Sequence, residues 1–136
     1  MLTLVKYLRS YETNPNHPAP KSVDVAGFGG TGPIVAAARA VARGAIDHAA
    51  VETGGFRFGK LTDYRDVNFL PGGAKYDDMP GLLALSAPAK LWLAGEGAKA
   101  PEATAAAYRG AEAKLAVSSA SGAESATAAV KWLLAE

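Results

Sequence analysis

One succession constrains the fold of this chain more than any other. The short apolar run Ser22-Val23-Asp24-Val25-Ala26 leads into Gly27-Phe28-Gly29-Gly30-Thr31-Gly32, and a helix-forming segment opens at Pro33. A strand that turns through glycine straight into a helix is the first half of a β-α-β unit. The helix crosses back over the sheet, so the next strand enters parallel to the first. Pro33 suits the first helical turn, where its missing N–H leaves no bond unmade. Residues 33–43 contain only Pro, Ile, Val, Ala and Arg, and Gly44 reads as their stop.

The same grammar continues downstream. Residues 46–51, 90–94 and 114–118 read as further strands, and 79–86, 101–113 and 124–134 as helices between and after them. Upstream, Leu2, Leu4, Val5, Tyr7 and Leu8 gather on one side of a helical wheel, which predicts a short amphipathic helix over 2–12. Residues 14–20 form a breaker-rich loop, and 53–73 are irregular around Gly54-Gly55, Asn68 and Pro71-Gly72-Gly73. The expected class is α/β: a small, mainly parallel sheet of about four strands flanked by helices. Helices this rich in alanine can lie close to such a sheet.

Size and charge narrow the function. The 136 residues fit one domain, read as 1–136, with room for a real core. A formal net charge of +1 gives no footprint for nucleic acid or anionic lipid. Charge at Lys6 and Arg9 interrupts the apolar start, so no signal peptide is read, and no run is long enough for a membrane span. The absence of cysteine removes disulfides, thiolate metal sites and thiol nucleophiles, and fits a reducing, cytoplasmic setting. Asp63 and Asp66, with Tyr64 and Arg65 but no nearby histidine, read as a polar loop, so no metal is expected.

The glycine turn carries three chemical readings. Successive backbone N–H groups at Phe28, Gly29, Gly30 and Thr31 can form an oxyanion or anion nest at a helix N-terminus. Gly27, Gly29 and Gly32 also match the G-x-G-x-x-G dinucleotide fingerprint. Glu52 stands about 20 residues on, where an acid holds a ribose hydroxyl of NAD(P). Thirdly, the turn has the strand-to-helix form of a nucleophile elbow, with Gly27 and Thr31 as flanking small positions and Gly29 where the nucleophile belongs. Glycine has no side chain with which to attack.

Several stretches together resemble the C-terminal half of α/β-hydrolases of the acetyl xylan esterase or dienelactone-hydrolase-like type. They are the glycine turn through Pro33, Ile46-Asp47-His48-Ala49-Ala50-Val51, Gly55-Phe56-Arg57-Phe58 and Asn68-Phe69-Leu70-Pro71-Gly72-Gly73-Ala74-Lys75-Tyr76. Leu82-Leu83-Ala84-Leu85-Ser86-Ala87-Pro88 and Leu91-Trp92-Leu93-Ala94-Gly95-Glu96 complete the set. The resemblance covers nearly the whole chain. It implies a half domain of the hydrolase type that starts just before the elbow strand. It also implies a Ser at position 29, an acid where Glu96 stands, and a His after the last strand. Ser119-Ala120-Ser121-Gly122-Ala123 follows that strand and contains no histidine. His17 and His48 lie toward the opposite edge of the sheet. His48 precedes Glu52 by four residues, roughly 13 Å of strand, whereas a relay needs contact at about 3 Å.

The expected function is therefore a hydrolase-like module without a Ser-His-acid triad and without a cofactor. It is non-catalytic, or weakly hydrolytic toward an ester or phosphoester through bound water with Glu96 or Glu52 as base. Its small-molecule ligand would be an ester or an anion. The alternative is an NAD(P)-binding module using Gly27, Gly29, Gly32 and Glu52. The resemblance implies that the strand 22–26 would be internal in a full-size relative and lacks those neighbours here; an open edge invites a second copy across a two-fold axis, so a homodimer is expected. Elsewhere the ordinary readings are structural. Thr31 and the pair Asp77-Asp78 read as helix caps, Arg57 and Lys60 as solvated charges, Trp92 and Trp132 as core or interface, and His48 as a hydrogen-bonded structural histidine.

Overall fold

The computed structural model describes residues 1–10, 18 and 20–135. Strand β1 (Asp24–Gly27) leads through the glycine turn into α2 (Gly32–Ala42), and α1 (Leu2–Arg9) precedes both. Then come β2 (His48–Glu52), α3 (Asp78–Ala84), β3 (Lys90–Ala94), α4 (Glu102–Ala107), β4 (Leu115–Ser118) and α5 (Gly122–Ala135). The four strands form one sheet in the order β1-β2-β3-β4, every pair parallel. The expected small α/β domain is what the chain forms.

Side-chain alternation divides the core between the two faces of the sheet. Ala49 and Val51 of β2 stand in register with Leu91 and Leu93 of β3. On that face they pack with Val35 and Ala36 of α2, Met79 and Leu83 of α3, and Tyr108. Ala50 pairs with Trp92 on the other face, where Ala94 joins them beneath Ala129, Trp132 and Leu133 of α5. Among the described residues, α2 and α3, with Tyr108 just after α4, thus cover one face and α5 the other. A third cluster, Val5, Val23 and Ile46, seats α1 below the sheet. Arg9 clamps it there, donating to the Ala45 carbonyl at 2.9 Å and pairing with Asp47, which also accepts the Val23 N–H at 2.7 Å.

Element boundaries differ from the sequence expectation for identifiable reasons. The α1 helix is described to Arg9; Val5 is buried with Leu8 packed beside it, and Leu2, Leu4 and Tyr7 are exposed. Residues 11–17, with His17 and most of the predicted loop, lie outside the described residues. Helix α2 ends at Ala42, and the left-handed residue after it is Arg43 (φ 49°) rather than Gly44. The helix expected over 101–113 stops at Ala107, because Gly110 takes a left-handed turn (φ 85°) before a short 3-10 turn, Glu112–Lys114. Residues 46 and 47 precede β2; the Asp47 N–H reaches Val23 ahead of the paired strands.

Candidate functional site

The candidate residues gather at the carboxyl ends of the strands, as a parallel sheet dictates. Two different demands select glycine in the turn after β1. A Cβ on Gly32 would lie 1.9 Å from the Glu52 carbonyl oxygen, and one on Gly27 would lie 2.7 Å from Val35 Cγ2. Gly32 lets α2 press against the end of β2, and Gly27 lets Val35 of α2 lie against the end of β1. Gly29 (φ 56°) and Gly30 (φ 91°) are required by conformation instead, and around a Cβ at either there is open space. Thr31 occupies the N-cap position of α2 but does not cap it. Its hydroxyl turns back and donates to the Phe28 carbonyl at 2.7 Å, tightening the turn.

Glu52, the last residue of β2, reaches the same turn. Its Oε2 accepts the Gly29 N–H at 3.3 Å. Gly29, the residue that the nest and dinucleotide readings share, thus contacts Glu52 of the dinucleotide reading, and the Thr31 N–H is also taken, by the Phe28 carbonyl at 3.1 Å.

Glu96 is held far more firmly. Arg57 addresses it as a fork, Nη1 to Oε1 at 2.9 Å and Nη2 to Oε2 at 2.6 Å, and Thr53 Oγ1 donates to Oε1 at 2.6 Å. The Glu96 side chain is only 5% exposed. The Glu96 hydrogen bond raises the Arg57 pKa above its ordinary range, against the opposing effect of burial. The loops after β2 and β3 also meet backbone to backbone. A Cβ on Gly95 would fall 2.3 Å from the Gly54 nitrogen, and the Thr53 N–H donates to Ala94 at 2.9 Å. Arg57 is therefore not the solvated charge its loop position suggested. Thr53 was not singled out by sequence; its place directly after β2 was the available signal.

The histidine that a relay needs stands elsewhere. His48 opens β2 at the amino end of the sheet, where its Nδ1 lies 2.8 Å from Asp24 Oδ1 and its ring meets Trp132 edge-on. It is the structural histidine expected. Trp92 is core and Trp132 packs on the α5 face. Asp77 makes no side-chain cap, whereas Asp78 joins two elements: it accepts Phe58 N at 2.8 Å, Gly59 N at 2.9 Å and Met79 N at 2.7 Å. Asp63 and Asp66 accept the N–H groups of Arg65 and Asn68 within their loop. Among the described residues, no three His, Cys, Asp or Glu side chains converge as a metal site, and no helix is long and apolar enough to cross a membrane.

The carboxyl end thus offers a glycine turn whose Gly29 and Thr31 N–H groups are engaged within the fold, one closed Arg–Glu pair and no imidazole among its described residues. Comparison of the chain with family models, curated proteins and solved structures yields no match.

Proposed function

We propose that this chain is a non-catalytic, hydrolase-like half domain that serves as a binding and assembly module and pairs with a second copy along β1. One observation carries the reading: both candidate bases at the carboxyl end are already engaged by the protein's own donors. Glu96 accepts three hydrogen bonds from Arg57 and Thr53, and Glu52 leans on Gly29. A carboxylate forked to a guanidinium is a poor general base, because taking a proton would break the pair. At the position where the resemblance implies a nucleophile stands Gly29, with the positive φ of a strained elbow and no side chain. Four sequential parallel strands beginning at that turn agree with the half sheet the resemblance implies.

The assembly part rests on the sheet edge. Among the described residues β1 pairs with β2 on one side only, and Asp24 and Ala26 are exposed. Light scattering coupled to size exclusion tests it: twice the 13.9 kDa chain mass is expected at micromolar concentration, and a monomer peak removes the dimer from the proposal.

The NAD(P) reading has one specific observation in its favour. Gly32 allows α2 to touch β2 as the third glycine of the fingerprint must, beside Glu52. Against it, dinucleotides sit where strand order reverses, and β1 lies at the edge of a sheet whose order never reverses. A rise in melting temperature with NAD or NADP would revive this reading; none is expected.

A further inference from the structure

The opposite end of the sheet holds a cleft of about 660 Å³ among the segments that precede β2, β3 and β4. Arg39, Arg43 and Lys114 supply its cations, and Ile46, Leu85 and Pro88 part of its apolar wall. Arg39 is only 1% exposed, on the buried stripe of α2 with Val35 and Ala36. Its guanidinium donates to the Arg43 carbonyl, and its Nε–H has no partner. Ser86, 2% exposed, lines the same cleft and its hydroxyl is also unpartnered. Asp47 is the one carboxylate there, and it is taken by Arg9 and the Val23 N–H. Among the described residues no carboxylate pairs with Arg39, Arg43 or Lys114.

A buried guanidinium with no carboxylate in contact, only Asp47 acting on it from a distance, is unfavourable for a fold on its own, and two unsatisfied buried donors in one cleft add to that. An anion supplied from outside resolves both. A cleft of this size is also much larger than a bare ion needs and falls within the range of small-molecule sites. We propose that this amino-end cleft binds a small organic oxyanion, a carboxylate or phosphate monoester on an apolar body, with the anion toward Arg39 and Ser86, Arg43 and Lys114 at its flanks, and the apolar body against Ile46 and Pro88. Burial lowers the Arg39 pKa from its ordinary range, and the attractions of Tyr108 and Asp47 offset this only in part. The site is separate from the carboxyl-end residues and does not depend on their role.

Thermal shift and titration calorimetry on the intact chain test this with phenyl phosphate, benzoate and uncharged benzyl alcohol, each at up to about 10 mM. Phenyl phosphate, benzoate or both should raise the melting temperature in a saturable way; whichever binds more tightly identifies the head group. Arg39→Met should weaken binding by roughly tenfold or more, and the rim double variant Arg43→Ala/Lys114→Ala by several-fold. The rim pair keeps the test intact should Arg39→Met fold poorly. The proposal is overturned if neither anion binds, if benzyl alcohol or sodium chloride at equal ionic strength reproduces the shift, or if the variants bind as the parent does.

Discussion

Arg57 and Arg39 sit at opposite ends of the same sheet and have met opposite fates. Arg57 follows β2 and forks onto Glu96, and the pair is completed by Thr53. Arg39 lies deeper, on α2, and its hydrogen-bond acceptor among the described residues is a backbone carbonyl, with Asp47 and Tyr108 acting on it only electrostatically. Their pKa values move accordingly: Glu96 raises that of Arg57, and burial lowers that of Arg39. A charge balanced inside the fold is part of the scaffold, whereas one left unbalanced points outward to a ligand. The end of the sheet where fold analogy places chemistry is the closed one, and the end that such analogy ignores is electrostatically open.

Removing one member of the closed pair is expected to have the largest effect. Glu96→Ala leaves Arg57 facing an emptied site, and a loss of about 2–3 kcal/mol is expected in denaturant unfolding, moderated because Arg57 is 25% exposed. Replacing both partners, Arg57→Met with Glu96→Met, should recover much of that loss. A double variant as unstable as the sum of its singles would mean the pair is not a balanced unit.

Arg39→Met should behave in the opposite sense. With no ion pair to break, exchanging a buried cation for an apolar chain is expected to leave ligand-free stability unchanged or raise it by about 1 kcal/mol. A loss comparable to that of Glu96→Ala would show that Arg39 is internally balanced after all, and the contrast between the two ends would fail.

A smaller effect concerns Asp47, the carboxylate of the open end. Burial opposes its charge, but the Val23 N–H and Arg9 outweigh this and hold its pKa below the usual carboxylate range. A lowered folded-state pKa contributes stability that is present above the unfolded value and lost as pH falls through the folded one. Stability should therefore decline below about pH 4. Asp47→Asn should flatten that decline while leaving anion binding in the amino-end cleft intact. Markedly tighter binding in this variant would tie Asp47 to Arg39 rather than to Arg9, because a carboxylate paired there competes with the ligand.

The sequence made the scaffold legible through local signals. Alternating apolar runs and small-residue helices marked all four strands, and the glycine turn placed the β1–α2 junction. It misjudged features set by distant partners. Arg57 looked solvated because Glu96 lies 39 residues away, and only the parallel pairing of β2 with β3 brings them together. Thr31 looked like a cap, but the tight turn put the Phe28 carbonyl within closer reach of its hydroxyl. Arg39 passed unnoticed inside an alanine-rich helix. Its signal was spacing: four residues after Val35, it falls on the stripe that faces the sheet.

Ester turnover tests the closed carboxyl end most directly. With p-nitrophenyl acetate, hydrolysis should rise linearly with substrate at a slow, unsaturable rate, unchanged by Glu52→Gln and Glu96→Gln. Saturable turnover that falls about tenfold or more on either substitution would contradict the account, because a carboxylate engaged by the fold would then be acting as a catalytic base.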